Sequence, residues 1–165
     1  MKRVTKEGFT LIELIIVIAI IAILAGAIFV AVDPARRLNE ARNARRASDV
    51  ATILDAVKKY QADNEGVHYV EIDGLTVDVP YGIGTNGSLC ATCTATSGIG
   101  ECVDLEDMGS NYLATVPFDP KGGSADETLY YIIKQSNGAV EVGACEPEGE
   151  GAGGAGDAPE IKVTR

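Results

Sequence analysis

Few side chains in this 165-residue sequence are of types that do chemistry, and their spacing narrows the options. There are four cysteines: Cys90, Cys93, Cys102 and Cys145. Cys90-Ala91-Thr92-Cys93 has the spacing of a thiol redox pair, but such pairs draw their reactivity from a helix N-terminus, and this one lies in a Ser/Thr/Gly-rich stretch. A four-thiolate zinc site is possible by count, yet a second CxxC knuckle is missing. The single histidine, His68, removes most His-based catalytic and zinc arrangements. Asp119, Asp126 and Glu127 are candidate calcium ligands, with solvated loop carboxylates as the simpler state. Asn86-Gly87-Ser88 spells a glycosylation sequon and reads better as a turn. No Ser-His-Asp set, catalytic carboxylate pair or phosphate loop stands out, so an enzyme is not expected and no cofactor is implied. The most unusual group is Glu13. It sits one turn inside an apolar stretch, where an unpaired carboxylate costs on the order of 3 kcal/mol.

The elements that hold these groups divide the chain by charge. Residues 1–60 carry ten Lys/Arg and six Asp/Glu, net +4, whereas residues 61–165 carry four and eighteen, net −14. An overall charge of −10 argues against general nucleic-acid binding, which draws on Lys and Arg. From Leu14 to Val32 no residue is charged. As a helix this run covers roughly 28 Å, close to the thickness of a bilayer core. Three readings of it are open from the residues alone. Lys2, Arg3 and Lys6 followed by an apolar run and Ala25-Gly26-Ala27 fit a secretory signal peptide. A plain uncleaved anchor is the second. Neither has a use for Glu13, which the third must explain.

Asp33-Pro34 punctuates the apolar run as an N-cap and first-turn pair, and with Gly26 it offers a kink. A helical stem follows to about Asn64, where Val50, Ile53, Leu54 and Val57 form one apolar stripe, and Leu38, Ala41 and Ala44 a weaker one before it. Arg36, Arg37, Arg42, Arg45 and Arg46 read as a solvated or headgroup-level face, or as partners for acidic groups once copies pack. Gly66 is a helix stop. Beyond it, alternation predicts a hairpin over 67–79 turning at Asp73-Gly74, and a clearer one from Leu129 to Val142 turning at Asn137-Gly138. Residues 80–101 read as a long surface loop, and Glu146 to Pro159, acidic and Gly/Ala-rich, as a flexible tail. The expected fold class is α+β, a long helix laid across a small antiparallel sheet.

Lys6-Glu7-Gly8-Phe9-Thr10-Leu11-Ile12-Glu13-Leu14 resembles the class III signal peptide of type IV pilins and type II secretion pseudopilins, and the likeness extends through the helix to about Val32. The resemblance implies a leader of residues 1–8 with basic Lys2, Arg3 and Lys6, removed between Gly8 and Phe9 on the cytoplasmic side. It implies N-methylation of Phe9 and a retained helix over 9–32, followed by a stem over 33–65, a head over 66–145 and a tail over 146–165. Glu13 then lies four residues from a new amine, which it could meet within its own helix or in another subunit; the family favours the pairing between subunits. The implied partners are further copies of the chain, a prepilin peptidase and N-methyltransferase, and an inner-membrane assembly platform with its motor. The implied location is a single-pass precursor in the inner membrane, then an extracellular or periplasmic filament. Nucleic acid is not an expected partner of the chain by default.

A shorter likeness, Val116-Pro117-Phe118-Asp119-Pro120 with Tyr130-Tyr131, is to major pseudopilins. A minor pilin for DNA uptake is a further variant, and a membrane-anchored thiol redox protein is the alternative of another class. In an exported head disulfides form. Three connectivities are open, with a preference for one bridge within Cys90–Cys102 and another tying that loop to Cys145.

Overall fold

The computed structural model describes residues 8–87, 90, 93–99 and 101–165. The leader positions Lys2, Arg3 and Lys6 lie outside these residues. Two consecutive helices make the stem, α1 over Leu11–Val32 and α2 over Pro34–Asp63. They meet at Asp33, whose left-handed backbone (φ 46°) closes α1 and opens α2. Asp is among the few residues that tolerate that region, and Pro34 supplies the first helical position, so the joint is written in the dipeptide. α1 runs through Gly26 without interruption.

α2 is helical for the reason the stripe predicts. Val50, Ile53, Leu54 and Val57 are wholly buried against a five-stranded sheet of order β2-β1-β3-β4-β5. The strands are β1 Pro80–Ile83, β2 Cys102–Val103, β3 Tyr130–Lys134, β4 Val140–Ala144 and β5 Lys162–Thr164. All neighbours are antiparallel except β1 with β2. Tyr130, Ile132, Val140 and Val142 face α2 from the central strands and complete the core. The hairpin β3–β4 turns where expected: Gly138 takes φ +82°, and the Asn137 side chain accepts from the Ala139 amide at 2.8 Å. This is the α+β, pilin-like architecture, a long bent N-terminal helix on a mostly antiparallel sheet.

Three stretches differ from expectation. In place of a hairpin over 67–79 there is one helical turn, α3 over Val70–Asp73. Of residues 67–79 only Tyr69 and Ile72 are buried, at helical rather than strand spacing, and Tyr69 packs edge-on against Tyr60 at the end of α2. The loop from residue 80 opens with β1, an inner strand of the sheet. Its glycines serve close packing rather than freedom: a side chain at Gly82 would strike Cys90, and one at Gly84 the backbone of Asp126. The segment expected to be a flexible tail is fastened to α2, and β5 beyond it adds the last strand to the sheet.

Candidate assembly site

At the amino end the chain presents Gly8, Phe9 and Thr10 as exposed residues just before the first turn of α1, with Phe9 93% exposed. Among the described residues nothing shields the Gly8–Phe9 bond. Thr10 is the N-cap, and together with Glu13 it builds a complete capping box. Glu13 Oε2 accepts from the Thr10 amide at 2.8 Å and from its hydroxyl at 2.7 Å, while the Glu13 amide donates to Thr10 Oγ1 at 3.3 Å. The carboxylate is thus held at the helix N-terminus, where the dipole favours it, instead of projecting bare into an apolar surround. Thr10 was not singled out from the sequence, although Thr-x-x-Glu before an apolar run is the sequence form of this box.

From Glu13 onward α1 is apolar on every side. None of its residues is buried. By length and composition it can cross a membrane. A helix hydrophobic all round finds its partner in lipid or in other helices, not in its own head.

The second constellation lies where the stem meets the head. Arg46 is wholly buried and donates to both oxygens of Asp119, from Nε at 2.5 Å and Nη2 at 3.0 Å. Its Nη1 donates to Asn43 at 2.8 Å and to Glu148 at 3.1 Å. Glu148 also accepts from Arg42 and, at 2.8 Å, from Lys121. The Arg42 bond, despite the cost of burial and helped by Lys121 and Arg46, holds its carboxyl down at about 2. The Asn43 side chain pairs with the Glu148 backbone in both directions, donating at 2.7 Å and accepting at 3.0 Å. Asn39 donates to Gly149 O at 2.7 Å. Farther along, Asp33 accepts from the Gly153 amide at 2.7 Å, which lowers the Asp33 carboxyl. Residues 146–154 therefore form a strap clasped along the first half of α2.

This clasp corrects several expectations. The inner face of that half is Asn39, Asn43 and Arg46, and Leu38, Ala41 and Ala44 are exposed. Polar residues are favoured there because the strap offers backbone groups and carboxylates rather than a sheet face. Arg42 and Arg46 find their acids far along the same chain, whereas Arg36, Arg37 and Arg45 stay on the surface beside acids one turn away. The three calcium candidates are not brought together. Asp119 is committed to Arg46 and to the Lys121 amide, and Asp126 accepts from the Thr85 hydroxyl at 3.1 Å. Among the described residues no group of three or more His, Cys, Asp or Glu is placed to hold a metal.

The cysteines form two bridges, Cys90–Cys102 and Cys93–Cys145. The CxxC cysteines are not bonded to each other, which removes the geometry of a redox-active pair. Instead, both pin the loop, one to β2 and one just past β4. Ser88 of the sequon lies outside the described residues. His68 is hydrogen-bonded to Gln61 at 2.7 Å, and burial, then the nearby Lys134 and Lys58, lower its pKa.

Residues 3–29 match the family described as the prokaryotic N-terminal methylation motif. No curated protein and no solved structure gives a match. The matched stretch contains the exposed Gly8–Phe9 bond, the Thr10–Glu13 box and most of the unburied helix α1. The chain therefore carries the class III signal peptide, the hallmark of type IV pilins and pseudopilins.

Proposed function

We propose that this chain is a structural subunit of a type IV pilus-like filament. A prepilin peptidase cuts between Gly8 and Phe9, Phe9 is N-methylated, and the mature protein waits in the inner membrane with α1 as its single span. An assembly platform and motor then draw subunits into a filament whose core is a bundle of α1 helices. The observation that carries this reading is that α1 has no buried residue while its start bears the methylation motif. So large an apolar surface requires lipid before assembly and neighbouring stems afterwards. Glu13 sets the stagger: the new Phe9 amine of one subunit meets the Glu13 carboxylate of another, each relieving a charge that hydrocarbon disfavours.

The test is isolation of surface appendages with sequencing of their subunit. Methylated Phe9 at the start of polymerised material is expected; residues 1–8 still attached, or a start at Ile28, overturns the reading. The stretch Val116 to Pro120 favours a second reading, a pseudopilin of a type II secretion system. Electron microscopy separates the two, as long surface fibres against a short periplasmic assembly.

A further inference from the structure

The outward face of α2 near its joint with α1 is left open by the clasp. The strap occupies the side bearing Asn39, Asn43 and Arg46, so Arg37, Leu38 and Arg45 point away from it, with side-chain exposures of 67% for Arg37 and 61% for Arg45. Leu38 is 57% exposed between them. Arg37 shares the half-buried Glu40 with Arg36, at 2.9 Å, and Arg45 stands 3.7 Å from Asp49, which the Tyr130 hydroxyl also holds, so the guanidinium ends of both arginines stay in solvent, where such pairs contribute little.

An opposite surface sits at the other end of the molecule. There Tyr69 packs on Tyr60, in the last turns of α2, and carboxylates gather around it. Glu71 stands exposed on α3 two positions from Tyr69, Asp107 stands exposed on the turn Glu106–Met108 with the half-buried Asp104 just before it, and burial followed by the charges of these acids raises the Tyr69 phenol. Among the described residues none of the three has a salt-bridge partner. Val70, 68% exposed, adds an apolar contact beside Glu71.

We infer that these two surfaces are the two halves of one subunit contact: the face of Arg37, Leu38 and Arg45 receives the pole of Glu71, Asp104 and Asp107 of a second copy. The occupant follows from charge and geometry. With the leader removed, residues 9–60 carry seven Lys/Arg and five Asp/Glu, net +2, against net −14 for the remainder, so the best electrostatic partner of each half is the other half. The faces cannot meet within one chain, because positions 37–45 and 60 lie roughly 22–35 Å apart along a helix that rises about 1.5 Å per residue. A contact between different surfaces at opposite ends of α2 is heterologous, and unless its rotation closes a ring it propagates as a filament. The inference rests on the pilin reading and adds a lateral contact, outside the α1 bundle, to what orders the subunits.

The experiment uses the full chain in cells that assemble it. The double variant Arg37→Glu/Arg45→Glu and the triple variant Glu71→Lys/Asp104→Lys/Asp107→Lys should each lower filament yield by about tenfold or more, the equivalent of about 1.4 kcal/mol per contact. Combining all five changes in one chain should restore it. Immunoblots of the membrane fraction check that each precursor accumulates and is processed. In filaments of the Arg45→Lys chain, a zero-length carbodiimide should link position 45 of one subunit to Asp104 or Asp107 of another. Normal filaments from both charge variants, or links from position 45 to its own Asp49 alone, overturn this contact. Absence of filaments from the unaltered chain overturns the pilin reading instead.

Discussion

Arg46 and Asp119, 73 positions apart, face each other through two hydrogen bonds with neither side chain reached by solvent. A buried pair of this kind is costly to desolvate and costlier to break, so its effect is felt mainly when one member is lost.

The first prediction concerns that pair. Arg46→Ala leaves the Asp119 carboxylate buried and short of donors, and should destabilise the head by about 3–5 kcal/mol. The paired change Arg46→Met/Asp119→Leu should recover most of the loss, because both charges go together. Denaturant unfolding of the detergent-solubilised protein, followed by circular dichroism, measures both. A single variant as stable as the parent would refute the role given to the pair.

Glu148 gives the clasp a pH dependence with a definite sign. Its carboxyl is depressed to about 2 by Arg42, Lys121 and Arg46, below an unfolded value of about 4.3. A depressed acid stabilises the fold above the unfolded value and loses that contribution as pH falls through the folded one. Thermal midpoints should therefore drop between about pH 4.5 and 2 by more in the parent than in Glu148→Gln, which has no carboxylate to protonate. Parallel curves for the two proteins would show that Glu148 is not the group that titrates.

For Glu13, the expectation is a separation of steps. Glu13→Ala should still insert and be cut after Gly8, since the apolar run and the exposed bond are unchanged. Polymerisation should fall by about tenfold or more, because the methylated amine loses its only acidic partner within the apolar run. Pulse-labelling of processing beside filament counts reads the two effects independently, and normal filaments would sink the stagger assigned to Glu13.

The Cys93–Cys145 bridge closes a span of 52 positions and joins the disulfide loop to the end of β4, immediately before the strap. Cys93→Ser/Cys145→Ser should cost about 2–5 kcal/mol. Removing the Cys90–Cys102 bridge, with a span of 12, should cost less. Non-reducing peptide maps with unfolding curves test both statements. Equal losses would point to local packing instead of loop closure.

How much of this was legible depends on where each element finds its partner. The stripe Val50, Ile53, Leu54 and Val57 names a buried face by itself, and Asn137-Gly138 between alternating strands names a hairpin, because both signals are local. The joint at Asp33-Pro34 is local too. Arg46 was hidden because its type says surface while its position says core: stepping back from Val50 by helical periods reaches Arg46, Asn43 and Asn39, the face that the strap covers. What makes a buried arginine tolerable is the presence of Asp119 and Glu148, far away in the chain, and composition does not report such a meeting. The segment 146–154 misled for the same reason. Its glycines and acids suit a solvated tail, but glycine lets its backbone lie close to α2, and one of its acids, Glu148, accepts from both Arg42 and Arg46.

The amide of Gly153 reaches back across 120 positions to Asp33, at the elbow between the two stem helices. The junction of the two stem helices is thus braced by a segment contributed from the far side of the sequence: a chain shortened to end before residue 146 would keep the residues of both helices and lose the bond that ties their meeting point to the strap.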